Sequence, residues 1–208
     1  SNYYPIDINM MQLSKAISLH EKQNYKLLPY LLDFENLKSK FPLQLQPSEG
    51  QIYLLLGGTY GNFDSKKINQ ILKKIIRPTN SVFAVSINIR DFPTEDEIIG
   101  SYSNLQFQDY VIQPLKVLGF TEEDFISNKS NNKLKVQLRW ENNGIVSYFI
   151  LNQKKILNGI TFKKGMEFIM TFSWKPTIQE FTEKLNSEMN VLKVLNNKNF
   201  AVAILSKK

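Results

Sequence analysis

The stretch from Gln51 to Ile89 limits the possible folds more than any other part of the chain. Gln51 to Leu56 (QIYLLL) is a continuous apolar run with Gly50 before it and Gly57-Gly58 after it, the pattern of a central strand buried on both faces by helices. A helix should follow: Asp64 or Ser65 can cap it, Ile68, Ile71, Leu72, Ile75 and Ile76 form one apolar stripe, and Arg77-Pro78 stops it. Ser81 to Ile89 (SVFAVSINI) is then a second strand. Strand, helix, strand predicts a parallel pair with a crossover helix, and so an α/β sheet.

The same pattern precedes it. Tyr3 to Ile8 reads as a strand broken by Pro5, Leu13, Ala16, Ile17 and His20 mark a helix from about Met10 to Lys22, and Tyr25 to Leu32 reads as a strand interrupted by Pro29. Both strands end near an acidic residue, Asp7 and Asp33. From about Thr94 the pattern changes to a helix around Gln108 to Leu118 and strands at Leu134 to Trp140, Val146 to Leu151 and Ile160 to Phe162. The turns Asn142-Asn143-Gly144 and Asn158-Gly159 suit hairpins rather than crossovers. Gly165 to Ser173 resumes a buried strand, and Ile178, Phe181 and Leu185 give a helix with Pro176 at its start. Asn190 to Leu195 and Phe200 to Leu205 close the chain as a hairpin. The expected organisation is a core of residues 1–93 and 165–208, with 94–164 an inserted, largely antiparallel substrate-binding subdomain.

The chain has no cysteine and one histidine, His20, which excludes thiolate metal sites and cysteine nucleophiles and argues against a histidine metal centre, so no metal is expected. No apolar run approaches the roughly 20 residues that span a bilayer, and the start does not read as a secretory signal. The expectation is a soluble, cytoplasmic protein without a membrane partner. The net charge is +7, but the densest lysine clusters, such as Lys66-Lys67 and Lys163-Lys164, are only pairs. Such spacing reads as solvated surface rather than a nucleic-acid face.

In an open parallel sheet the ligand sits beyond the carboxyl ends of the strands. There Asp7 could accept hydrogen bonds from ribose hydroxyls, and Asp33 from an adenine amino group while Phe34 covers the ring. Gly57, Gly58 and Gly61 would let a ligand approach the backbone closely. The residues leave alternatives open: Asp7 as a helix cap, Gly57-Gly58 as a plain turn, Phe34 as core, and His20 as a boundary residue on its helix.

Together these segments resemble the histidine-specific methyltransferase family, whose known member trimethylates the amino group of histidine in ergothioneine biosynthesis. The family's Tyr-x-Pro-x-Asp is similar to Tyr3-Tyr4-Pro5-Ile6-Asp7, its acidic-aromatic pair to Asp33-Phe34, and its Leu-Gly-Ser-Thr-x-Gly-Asn-Phe loop to Leu56–Phe63. Its Ala-Tyr pair is similar to Ser101-Tyr102, and its Thr-Glu-x-Ser-x-Lys strand to Met170–Lys175. The resemblance implies a class I methyltransferase (Rossmann-like) sheet with a C-terminal antiparallel hairpin and an inserted α+β substrate subdomain. It implies S-adenosyl-L-methionine (SAM) as cofactor and N-methylation of the amino group of an amino acid or similar small molecule.

By the same resemblance Asn62 and Tyr102 hold the amine and are the catalytic candidates. Asp7, Asp33, Phe34 and Gly57 are the cofactor candidates, and Gly57, Asn62, Tyr102, Thr171 and Ser173 the substrate candidates. Thr171 stands where the family has a glutamate that grips the imidazole, and Val136 where a methionine lines that pocket. The family's first strand and glycine-rich loop would precede Tyr3, so the chain is expected to be the larger, C-terminal part of such an enzyme. The alternatives are a non-catalytic methyltransferase-like binding domain and a nucleic-acid methyltransferase, although the tetrapeptide Asn-Pro-Pro-Tyr of the latter is absent.

Overall fold

The computed structural model describes residues 2–20, 24–33, 50–75 and 81–208; Phe34, Ile76 and the predicted helix stop at Arg77-Pro78 lie outside them. At the N-terminus β1 (Asn2–Tyr3), β2 (Ile6–Asp7), α1 (Met10–His20), β3 (Lys26–Leu27) and β4 (Tyr30–Leu31) follow in order. β1 pairs with β3 and β2 with β4, both parallel and in one continuous register, Asn2 opposite Lys26 and Asp7 opposite Leu31. The bonds Leu28 N–H to Tyr3 O, Tyr30 N–H to Pro5 O and Leu32 N–H to Asp7 O carry the ladder through the breaks. Pro5 and Pro29, which have no N–H to give, therefore interrupt a single strand pair without ending it.

β5 (Gln51–Leu55) leads through a short 3-10 turn (Thr59–Asn62) into α2 (Ser65–Ile75) and then β6 (Ser81–Asn88). Asp64 Oδ1 accepts from the Lys67 N–H at 2.9 Å, so Asp64 caps α2. β5 and β6 pair in parallel, as the apolar runs predict. The sheet continues with β13 (Phe200–Ser206) and β12 (Asn190–Asn196), in the order β12-β13-β6-β5 with both added strands antiparallel. α6 (Ile178–Asn186) precedes them, started by a capping box between Thr177 and Glu180.

Ile68 and Leu72 of α2 and Phe181 and Leu185 of α6 pack with Phe83, Val85 and Ile87 of β6 and Ala201, Ala203 and Leu205 of β13. Both helices thus cover the same face. That corrects one expectation: β5 is not buried on both faces. Tyr53 and Leu55 join the core, but Ile52 is 73% and Leu54 57% exposed, because β5 is the edge strand and its second face has no helix over it among the described residues.

Between the two halves of this unit come α3 (Glu95–Tyr102), α4 (Leu105–Val111), α5 (Gln113–Val117), β7 (Gln137–Glu141), β8 (Gly144–Ile150), the hairpin β9 (Lys155–Leu157) and β10 (Ile160–Phe162), and β11 (Glu167–Trp174). The two hairpin turns are those read from sequence, with Asn142, Asn143 and Asn158 all at positive φ. A second core gathers Val111, Ile112, Leu115, Phe120, Phe125, Leu134, Val136, Phe149 and Leu151. β11, grouped by its sequence with the parallel core, hydrogen-bonds instead along β8, giving the sheet β11-β8-β7. Among the described residues no helix is long and apolar enough to cross a membrane, and no cluster of His, Asp or Glu could hold a metal.

Candidate active site

The loop after β5 is built by its glycines. Gly57 and Gly58 both have φ of 79°, the left-handed region that favours glycine. The Gly57 N–H donates to Ser86 Oγ at 2.9 Å, fixing the loop on β6. A Cβ at Gly58 would lie 2.5 Å from Asn88 Oδ1, whereas one at Gly57 would meet nothing within 4 Å. The two glycines therefore do different things: Gly58 packs on β6, and Gly57 turns its backbone to open space. Tyr60 anchors the turn from below, fully buried, with its hydroxyl donating to Asn69 Oδ1 at 2.9 Å. Burial pushes that hydroxyl well above the usual phenol range.

Gly61 is where the two sheets meet. A Cβ there would sit 2.7 Å from the carbonyl oxygen of Trp174, the last residue of β11. This close approach delivers the end of β11 to the loop. Ser173 Oγ donates to Asn62 Oδ1 at 2.8 Å, and Lys175 Nζ donates to Ser173 Oγ at 2.8 Å. The Lys175 ammonium also lies 5.3 Å from the centre of the Tyr102 ring, which α3 supplies and Phe107 braces edge-on at 5.0 Å. Asn62 is exposed, Tyr102 half-buried, and Ser173 and Lys175 are buried.

Asn62, Ser173 and Tyr102, drawn from three separate parts of the sequence, are thus gathered around Lys175. Thr171 lies two residues up β11 on the Ser173 face, its hydroxyl paired with Ser147 Oγ at 2.7 Å. Val136 is fully buried in the second core.

Asp7 ends β2 opposite Leu31, and Asp33 follows two residues beyond β4; both are half-buried. Asp7 Oδ1 accepts from the Asn9 N–H at 2.7 Å, and Asn9 Oδ1 in turn accepts from the Met11 N–H at 2.9 Å. Asn9, not Asp7, is therefore the cap of α1, and the second Asp7 oxygen has no hydrogen bond among the described residues. His20 ends α1 in an aromatic cluster with Tyr3 and Tyr25 and hydrogen-bonds the Tyr25 hydroxyl, remote in sequence from the loop. Sequence reasoning places Lys175 in a motif without giving it a task; its only signal there is position, two residues after Ser173 in an alternating strand.

A family model described as histidine-specific methyltransferase, SAM-dependent, matches residues 1–206. The fold is similar to that of an S-adenosylmethionine-dependent methyltransferase from Clostridium acetobutylicum, with TM-score 0.51 and 15% identity over 100% of this chain and 75% of that one. A protein from Pyrococcus horikoshii aligns over 100% of this chain and 72% of its own, at TM-score 0.47 and 10% identity. No curated protein matches the sequence. With the family match over nearly the whole chain, SAM is the cofactor, and the chain belongs to the histidine-specific, SAM-dependent methyltransferase family.

Proposed function

We propose that the chain is an N-methyltransferase acting on the amino group of an amino acid or similar small molecule. The observation that carries this reading is the hydrogen bond from Ser173 to Asn62, which fixes an exposed amide beside the open backbone of Gly57. The residues at the strand ends suit SAM. Asp7 has a carboxylate oxygen to offer a ribose, Asp33 lies just past the end of the neighbouring strand, and Gly57 has no neighbour where a Cβ would be. When bound, SAM supplies a methyl group on a positively charged sulfur, an electrophile for an unprotonated amine.

The protein's contribution is then chiefly positioning. Asn62 has a remaining lone pair on Oδ1 and two N–H donors, and Tyr102 a hydroxyl, with which to orient the amine. The other end of the acceptor would lie along Ser173 and Thr171. Thr171 is neutral and shares its hydroxyl with Ser147, so this position offers no carboxylate to an acceptor side chain, and the acceptor need not carry an imidazole. Asn62→Ala should lower kcat at least tenfold while changing SAM affinity less than about twofold, measured by calorimetry and by release of S-adenosylhomocysteine. Parallel loss of turnover and cofactor affinity would remove Asn62 from the acceptor site.

A further inference from the structure

We infer that Lys175 is the positioning residue of the acceptor site, an inference that rests on the function proposed above. Its side chain is 2% exposed, and among the described residues its ammonium pairs with no carboxylate. Its partners are the Ser173 hydroxyl at 2.8 Å and the Tyr102 ring at 5.3 Å. Removing a charge from water without an opposite charge opposes folding, and an unbranched apolar side chain of similar length would occupy the same space. Stability alone does not account for a lysine here.

Its hydrogen-bonding chemistry does. An ammonium has three donors and no acceptor, so Ser173 Oγ must accept from Lys175. Among the described residues the serine's single hydrogen has one recorded acceptor, Asn62 Oδ1 at 2.8 Å, and it donates there while a serine lone pair takes the Lys175 proton. By occupying one of the two acceptor positions on Ser173 Oγ, the buried cation biases the amide toward the orientation with Oδ1 facing the serine, a preference that the nearly identical shapes of its two ends do not supply. Lys175 thereby turns the Asn62 NH2 group away from Ser173, and it touches the ring of Tyr102 at the same time. One side chain orders both groups assigned to the amine. Its own main-chain N–H is held by the Asn143 carbonyl at 2.8 Å, so the stem starts from a fixed point.

The experiment compares Lys175→Met, Lys175→Gln, Ser173→Ala and the double variant Ser173→Ala/Lys175→Met in the whole chain. Turnover is measured with SAM and a panel of free L-amino acids, and the Asn62 side-chain amide is followed by 15N NMR without ligand. Lys175→Met should keep the thermal midpoint and the KM for SAM within twofold while kcat falls at least tenfold. The double variant should be no slower than the slower single one, since the residues act as one line. The Asn62 NH2 resonances should shift or broaden alike in Lys175→Met and Ser173→Ala. Multiplying losses in the double variant, or an unchanged Asn62 signal in Lys175→Met, would overturn the inference. Should Lys175→Met lose its fold, Lys175→Gln and Ser173→Ala decide the same point through the NMR signal. If the wild type methylates no amino acid, the functional proposal fails by itself, and the NMR comparison still decides the role of Lys175.

Discussion

Substituting Gly61 by alanine tests whether the contact between the loop and β11 sets the geometry of the site. The added Cβ would lie 2.7 Å from the Trp174 carbonyl oxygen, and ordinary contact begins at 3.4 Å, so the loop and strand end must separate by 3.4 − 2.7 = 0.7 Å. The obstacle is backbone and cannot rotate away. Transmitted to the neighbouring bond, the same shift stretches Ser173 Oγ to Asn62 Oδ1 from 2.8 Å to 2.8 + 0.7 = 3.5 Å, the outer limit of a hydrogen bond. Overpacking of this kind costs about 1–3 kcal/mol, which for a domain of this size lowers the melting temperature by roughly 2–4 °C per kcal/mol. Turnover should fall further than stability does, by roughly 100-fold, because displacements near 1 Å suffice for such losses when catalysis is positional. Differential scanning calorimetry, followed by methyl-transfer kinetics well below the new midpoint, separates the two effects. A Gly61→Ala protein with wild-type kcat and wild-type melting would refute the claim that this contact holds the site.

Two further changes probe the supports of the site. Gly100→Ala, inside α3 where an added Cβ meets nothing within 4 Å, should stabilise by about 0.5–1 kcal/mol and leave the KM for SAM unchanged; a lower melting temperature would mean that the helix bearing Tyr102 is packed differently. Tyr60→Phe leaves Asn69 Oδ1 without its buried donor and should cost about 1–3 kcal/mol at neutral pH by urea titration. Tyr60 also sets an alkaline limit. Its folded-state value lies above that of a free phenol, about 10, so its stabilising contribution is complete below about pH 10 and is lost as the pH rises further. The decline in stability of the wild type above pH 10 should therefore be shallower in Tyr60→Phe; identical slopes would contradict burial of the hydroxyl.

What is legible in the sequence is what is encoded locally. Ile68, Ile71 and Leu72 of the α2 stripe, its cap at Asp64 and the paired Asn turns all announce themselves within a few residues, and the structure has them at those positions. The capping box Thr94-x-x-Glu97 that starts α3 is equally visible, yet the helix does not stand out in the sequence, because its short stripe is weak. Strand partners are another matter. The residues of β11 alternate as any half-buried strand does, and nothing in that alternation says whether β8 or β6 lies beside it. The exposed face of β5 has the same cause: a run of apolar residues records no count of the helices available to cover it. Lys175 is one of many lysines in sequence, and only the fold shows that it is buried.

The path of β11 makes the acceptor site proposed above a seam between two separately packed cores. The strand belongs by hydrogen bonding to the insertion, through a register shift between Ile169 and Thr171, yet its last residues close against the loop of the parallel unit. On the assignment proposed above, the acceptor would rest on a strand shared by the two cores, while the cofactor candidates Asp7 and Asp33 stand on the separate β2 and β4 pair. Repacking around Phe149 or Phe168 can move Thr171 and Ser173 as a rigid edge while the strand ends at Asp7 and Asp33 stay where they are. In such an arrangement the choice of acceptor can drift through mutations remote from the chemistry, and the grip on the cofactor need not change with it.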